Sequence, residues 1–308
     1  MLEIFLKTLP FFAIIALGYW AGRSRFFSEE ATAYLTKFVF YFALSAMLFR
    51  FSATLSFASV FDSTFVLAYL LSTLAVYMIA SIGALIRKLP AEQMVIEAQC
   101  AVIGNVGFLG IPMLALLLGE AALGPIMLVL AVDLLIFGSL VVIVITGSRD
   151  GRVSPAILKT VGLGLVKNPM IVSIALGFLW AALSFPIPTP VNEFLTILGG
   201  AATPGALFAI GASLASKSAE RVEIAAWLSF CKLVLHPIAV AIFSLWVFPV
   251  DRYAAAVMIS AAALPVAGNV FIIAQHYGVA PARVSASILI STMLSIITVS
   301  LVIGWVAV

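Results

Sequence analysis

The sequence predicts an all-α membrane protein of ten transmembrane helices, arranged as two inverted five-helix repeats. Three observations carry that prediction. The composition is 64% hydrophobic and only 9% charged, with a mean hydropathy of +1.24, whereas a soluble domain carries roughly 25% charged residues. Similar short segments recur at one fixed offset in the two halves. Lysine and arginine collect on the connections that follow odd-numbered spans.

Apolar runs place the spans at 3–22, 33–50, 61–86, 93–118, 123–146, 161–184, 191–216, 222–247, 252–277 and 283–306, and 308 residues leave room for about ten helices of about 20 residues. The first span runs directly into Arg23 and Arg25, as expected of a retained helix rather than a cleaved leader. Loop chemistry separates the spans: Ser28-Glu29-Glu30, Arg87-Lys88-Leu89-Pro90, Gly147-Ser148-Arg149-Asp150-Gly151 and Pro186-Ile187-Pro188. The polar stretch 148–160 is the longest connection. It divides a first repeat at 1–147 from a second at 161–308.

Ile15-Ala16-Leu17-Gly18-Tyr19 matches Ile174-Ala175-Leu176-Gly177-Phe178, an offset of 174 − 15 = 159. Pro10 and Pro169, Leu48-Phe49 and Leu207-Phe208, and Gly119 and Gly278 share it. Five spans per repeat is odd, so the second repeat must enter the membrane with opposite polarity. Odd connections hold Arg23, Arg25, Lys37, Arg87, Lys88, Arg149, Arg152, Lys159, Lys167, Lys217, Arg221 and Arg283, against Lys7, Arg50 and Arg252 on the other side. The positive-inside rule then puts the central connection in the cytoplasm and both termini outside.

Two spans are interrupted. Gly104-Asn105-Val106-Gly107-Phe108-Leu109-Gly110-Ile111-Pro112 breaks the fourth, and Leu264-Pro265-Val266-Ala267-Gly268-Asn269 the ninth. Glycine and proline are poor helix formers, and an unpaired amide in hydrocarbon costs several kcal/mol, so such breaks persist only where protein or a water-filled cavity covers them. Paired breaks in two halves point to a transporter's binding site. On this reading Gly107, Gly110 and Gly268 admit a ligand to bare backbone, Asn105 and Asn269 supply side-chain amides, and Pro265 marks the second break. A half-helix starting after Pro112 would turn its positive end towards an anion. The two Asn residues are 164 apart, so their equivalence stays open. Thr203-Pro204-Gly205 interrupts the seventh span, where the common offset gives Ser45 in the second. Pro204 and Ser45 either line a cavity wall or merely flex their helices.

Ionisable groups inside the membrane are few. A lone carboxylate at mid-bilayer costs about 2.5–3.5 kcal/mol, so Asp133 is expected to face the interior. Lys232 and His236 share a helical face, and both Asp133 and Lys232 need a partner, which suggests a direct contact. His236 precedes Pro237, where it could bond freed backbone or handle protons. Glu97 reads as a snorkelling surface charge. Cys100 and Cys231 lie in apolar segments, where a disulfide or metal site is improbable. No cofactor motif, phosphate-binding loop, hydrolase elbow or basic, aromatic nucleic-acid platform occurs.

The element Gly104-Asn105-Val106-Gly107-Phe108-Leu109-Gly110-Ile111-Pro112 resembles the fourth-helix signature of the auxin efflux carrier (AEC) family. Lys167-Asn168-Pro169, Phe208-Ala209-Ile210-Gly211-Ala212-Ser213-Leu214, Leu264-Pro265-Val266-Ala267-Gly268-Asn269, Ala274-Gln275-His276-Tyr277-Gly278 and Lys232 with His236-Pro237 are similar to its other patterns. Ser45 departs from it, since the family often has proline there. The resemblance implies a scaffold of spans 1, 2, 6 and 7, a mobile domain of spans 3–5 and 8–10, and crossed, broken fourth and ninth helices at the substrate site. It also implies a homodimer and an elevator-type movement. Plant members carry auxin; bacterial relatives include permeases for malonate, malate and similar organic anions. The short central connection resembles that of bacterial members.

The expectation is therefore a secondary or facilitative carrier of a small mono- or dicarboxylate in a bacterial inner membrane, with a proton or sodium ion as possible coupling partner. Its substrate contacts would be Asn105, Gly107, Phe108, Pro112, Pro265, Gly268, Asn269, Ser45 and Pro204, supported by Asp133, Lys232 and His236. The rival readings are a sodium-coupled symporter similar to the bile acid carriers, and a membrane sensor or enzyme without transport.

Overall fold

The computed structural model describes residues 2–55, 60–150, 155–216 and 222–306. Arg152, Lys217 and Arg221, which entered the charge count, lie outside the described residues, as does the 151–154 part of the central connection. Among the described residues all the regular secondary structure is helical, apart from one isolated antiparallel bridge between Gly104 and Val266.

The first half comprises α1 (Leu2–Arg23), α2 (Glu29–Thr54), α3 (Ser63–Ile86), α4 (Ala91–Val102), α5 (Val106–Leu118) and α6 (Glu120–Arg149). The second comprises α7 (Pro155–Lys167), α8 (Pro169–Ala182), α9 (Thr189–Ala215), α10 (Val222–Val247), α11 (Arg252–Ala262), α12 (Gly268–Tyr277) and α13 (Pro281–Val306). Side chains capture the first free amides of several helices. Ser28 Oγ accepts from Ala31 N–H at 3.1 Å, and Asp62 Oδ1 accepts from Thr64 N–H at 2.8 Å.

Among the described residues, α1, α2, α3, α6, α9, α10 and α13 are long and apolar enough to cross a membrane. The expected sixth span is not one rod. α7 and α8 meet at a 72° bend, because Asn168 Oδ1 accepts from Met170 N–H at 2.9 Å and Pro169 opens α8, an arrangement that starts a new helix. Taken together they make an eighth candidate span. The expected fourth and ninth spans are each a pair of short helices, α4 with α5 and α11 with α12.

Backbones touch at two matched places. A Cβ on Gly18 of α1 would come within 2.1 Å of the Phe208 carbonyl oxygen of α9. A Cβ on Gly177 of α8 would lie 2.7 Å from the Phe49 carbonyl oxygen of α2. Gly18 and Gly177 are 159 apart, and so are Phe49 and Phe208, so one contact occurs twice with its partners exchanged between the halves. Small residues at such interfaces let helices approach closely where lipid provides no hydrophobic drive. Gly119 and Gly278, also 159 apart, end α5 and α12 with φ of 95° and 68°. They are the two positive-φ glycines among the described residues; their ψ angles differ, but a positive φ at each favours glycine.

Gly211 of α9 is tighter still, since a Cβ there would sit 1.9 Å from the Ile15 carbonyl oxygen. Gly211→Ala is therefore expected to destabilise the purified protein by about 1–3 kcal/mol in thermal unfolding. Gly164→Ala, at a helical position with nothing within 4 Å, is expected to be neutral or to stabilise by up to about 1 kcal/mol.

Candidate functional site

The breaks after α4 and α11 meet. Asn105 N–H donates to the Pro265 carbonyl at 2.8 Å, and Ala267 N–H donates to the Ile103 carbonyl at 3.0 Å. Gly104 and Val266 lie at the centre of this short antiparallel pairing. Further backbone groups at the breaks are paired as well. Val266 N–H donates to Ser291 Oγ of α13 at 3.1 Å, Ile103 N–H to the Gln99 carbonyl and Val106 N–H to the Gly104 carbonyl, both at 2.8 Å. Pro265 has no N–H to satisfy.

The two asparagines stand at different places relative to this pairing. Matching Gly104 with Val266 gives an offset of 266 − 104 = 162, which pairs Asn105 with Ala267 and Gly107 with Asn269. Asn105 precedes α5, whereas Asn269 lies in the first turn of α12. Asn105 is buried, and the Asn269 side-chain oxygen is buried without a hydrogen-bond partner.

Several expected contacts need correction. Helix α5 restarts at Val106 rather than after Pro112, so its amino end belongs to Val106, Gly107 and Phe108. A wide turn over Val106–Gly110 precedes Pro112 and makes room for its ring inside the helix. Gly107 does not open onto free space: a Cβ there would meet Met170 Cε of α8 at 2.6 Å. Gly110 is covered by Leu264 Cδ1 at the same distance, while Gly268 has nothing within 4 Å and is open. Ser45 Oγ donates to the Phe40 carbonyl at 3.2 Å, mending a wide turn in α2, so its hydroxyl is engaged within its own helix. Pro204 is exposed. Phe108 is half-buried and stacks on Phe40, with ring centroids 6.3 Å apart.

Beside the pairing lies a buried polar network. Tyr69 O–H donates to Asp133 Oδ1 at 2.9 Å, while Asp133 Oδ2 has no partner. Lys232 Nζ donates to the Ala262 carbonyl and lies 3.2 Å from His236 Nδ1. Thr73 Oγ1 is 3.0 Å from His236 Nε2. The expected direct Asp133–Lys232 contact does not form, because each group takes nearer partners. His236 lies within bonding distance of two side chains, Lys232 and Thr73, and also of the freed Ala262 carbonyl at the end of α11. Tyr69 and Thr73 went unnoticed in the sequence, although polar groups four apart in the apolar α3 share one face and could have flagged them.

Glu97 is the largest revision. Expected at the surface, it is fully buried and held by Arg87 and by Arg283 from the start of α13. Two residues on, Gln99 Nε2 donates to the Phe137 carbonyl at 2.5 Å, at the end of a wide turn in α6.

Membrane-length apolar helices surrounding two backbone-paired helix breaks define a multi-pass membrane protein of the transporter class. Residues 3–303 match the membrane transport protein family, and the chain belongs to that family, the auxin efflux carrier group whose motifs it resembles. It is 32% identical to the "Putative malonate transporter" of Rhizobium meliloti (strain 1021), over 97% of this chain and 95% of that one. It is 26% identical to the "Uncharacterized transporter YfdV" of Escherichia coli (strain K12), over 98% and 97%.

Removing one member of a buried ion cluster strands the others, which costs about 3–5 kcal/mol. Glu97→Gln, which leaves Arg283 buried and uncompensated, is expected to lower thermal stability by an amount of that order. Glu92→Gln breaks the more exposed pair with Arg149 (3.0 Å) and is expected to cost under about 1 kcal/mol in the same assay.

Proposed function

We propose that this protein is a secondary or facilitative transporter of a small dicarboxylate in a bacterial inner membrane. The observation that carries the reading is the antiparallel pairing of Ile103–Asn105 with Pro265–Ala267. Helices α5 and α12 both start from it. Helical geometry leaves the amides of each first turn without an intrahelical acceptor, and each amino end carries about half an elementary positive charge. Two such ends beginning at one place favour an anion without a fixed cation in direct contact.

Asn105 and Asn269 would hold the carboxylates, with Gly268 leaving room beside the second break and Pro265 fixing it. Gly107 and Pro112 shape α5. Phe108, Ser45 through the turn it mends, and Pro204 belong to the facing wall. Asp133, Lys232 and His236 support the site from behind. The printed name of the Rhizobium relative favours malonate as the first substrate to test.

Counting α4–α5, α7–α8 and α11–α12 as one interrupted span each gives ten spans in two inverted repeats, 1–147 and 161–308, joined by 148–160. The exchanged Gly18–Phe208 and Gly177–Phe49 contacts support that symmetry. The same contacts support a scaffold of α1, α2, α7–α8 and α9, against which α3–α6 and α10–α13 would move as an elevator carrying the crossed breaks. Charge distribution favours both termini outside, and the scaffold is the surface for a homodimer.

Malonate is expected to raise the thermal midpoint of the purified protein and to be taken up by proteoliposomes that contain it. Asn105→Ala and Asn269→Ala should each abolish the stabilisation while the protein still folds. Unchanged malonate affinity in both folded variants contradicts the site, and the absence of carboxylate flux contradicts the function.

A further inference from the structure

Lys232 has no access to solvent, yet its amino group lies where the two breaks meet. Its Nζ donates to the carbonyl of Ala262, the last residue of α11. It also lies 3.3 Å from the point that a Cβ on Gly104 would occupy, so the side of Gly104 is filled by the lysine head. Helix α4 ends at Val102, two residues before Gly104. The carboxyl ends of α4 and α11 therefore both finish beside this amino group. Each such end presents unpaired carbonyls and about half an elementary negative charge. Half-helix carboxyl ends of this kind are where transporters seat a coupling cation.

His236 completes the seat. Its Nδ1 lies 3.2 Å from Lys232 Nζ and its Nε2 lies 3.0 Å from Thr73 Oγ1. Asp133 stands off with Tyr69 as its hydrogen-bond partner. One buried carboxyl group thus faces one buried amino group, and the Ala262 carbonyl that an ion would coordinate already has a donor.

Resting on the reading of the crossover as the substrate site, we infer that Lys232 is a resident cation at the junction of the two breaks, occupying the place of a dissociable metal cation. Lys232 is then a positioning residue. It neutralises two helix ends and holds the breaks in register, and sodium binds neither there nor as the coupling ion.

Thermal melting of the purified full chain tests this. The wild-type midpoint, and its rise with malonate, are expected to be equal in sodium chloride and choline chloride. Lys232→Ala should lower the midpoint by roughly 5–10 °C, and methylammonium, a small soluble stand-in for the lost group, should recover most of the loss. Lys232→Met, which fills the space without charge, should be destabilised and insensitive to methylammonium. Lys232→Arg, which keeps the charge, should melt above Lys232→Met even if Lys232→Ala does not fold. A sodium-dependent wild-type midpoint or malonate shift, a Lys232→Ala midpoint equal to wild type or indifferent to methylammonium, or Lys232→Met melting above Lys232→Arg overturns the inference. Failure of malonate to bind leaves the other comparisons intact and counts against the transport reading alone.

Discussion

A helix interrupted inside a membrane must find partners for the backbone groups it frees, because hydrocarbon offers none. The two breaks of this chain meet that demand by bonding to each other. Asn105 N–H reaches the Pro265 carbonyl and Ala267 N–H the Ile103 carbonyl, and the proline removes one donor that would otherwise be orphaned. Neither break could persist alone in this form, since each supplies the other's partners. The amino ends of α5 and α12 follow from the same pairing, as does the seat occupied by Lys232.

The rest of the molecule supports that junction from two sides. Glycines at 18, 177 and 211 bring α1 onto α9 and α8 onto α2 at backbone contact. On the other side, wide turns at Cys231–Leu235 of α10 and Asp133–Phe137 of α6 carry or adjoin its buried polar groups. Such turns are frequent at functional sites because they free a carbonyl and rotate the side chains that follow. Gln99 takes up the carbonyl of Phe137, so the end of this wide turn is bonded by a neighbouring helix.

Much of this was legible in the sequence. Glycines and prolines inside apolar runs marked both breaks, and residues matched at the 159-residue offset prove to make corresponding contacts, Gly18 on Phe208 and Gly177 on Phe49. What stayed hidden depended on distant partners or on small changes of winding. Glu97 read as a surface charge because Arg283, 186 positions away, is close only in the fold. Pro112 read as the start of a half-helix because proline favours the first turn, but the wide turn before it lets α5 begin six residues earlier. The bridged residues Gly104 and Val266 are 162 apart rather than 159, so the offset read elsewhere does not carry over to the breaks. The bend between α7 and α8 was readable, since Asn168-Pro169 is a cap followed by a first-turn proline.

The central claim is that the peptide groups of two paired helix breaks form one anion site. Amide hydrogen exchange, followed by mass spectrometry with and without malonate, tests it most directly. The account predicts that peptides covering 103–110 and 263–270 gain protection together when malonate is added, with the same concentration dependence. Protection of only one stretch, or of neither while malonate binds elsewhere, would contradict it.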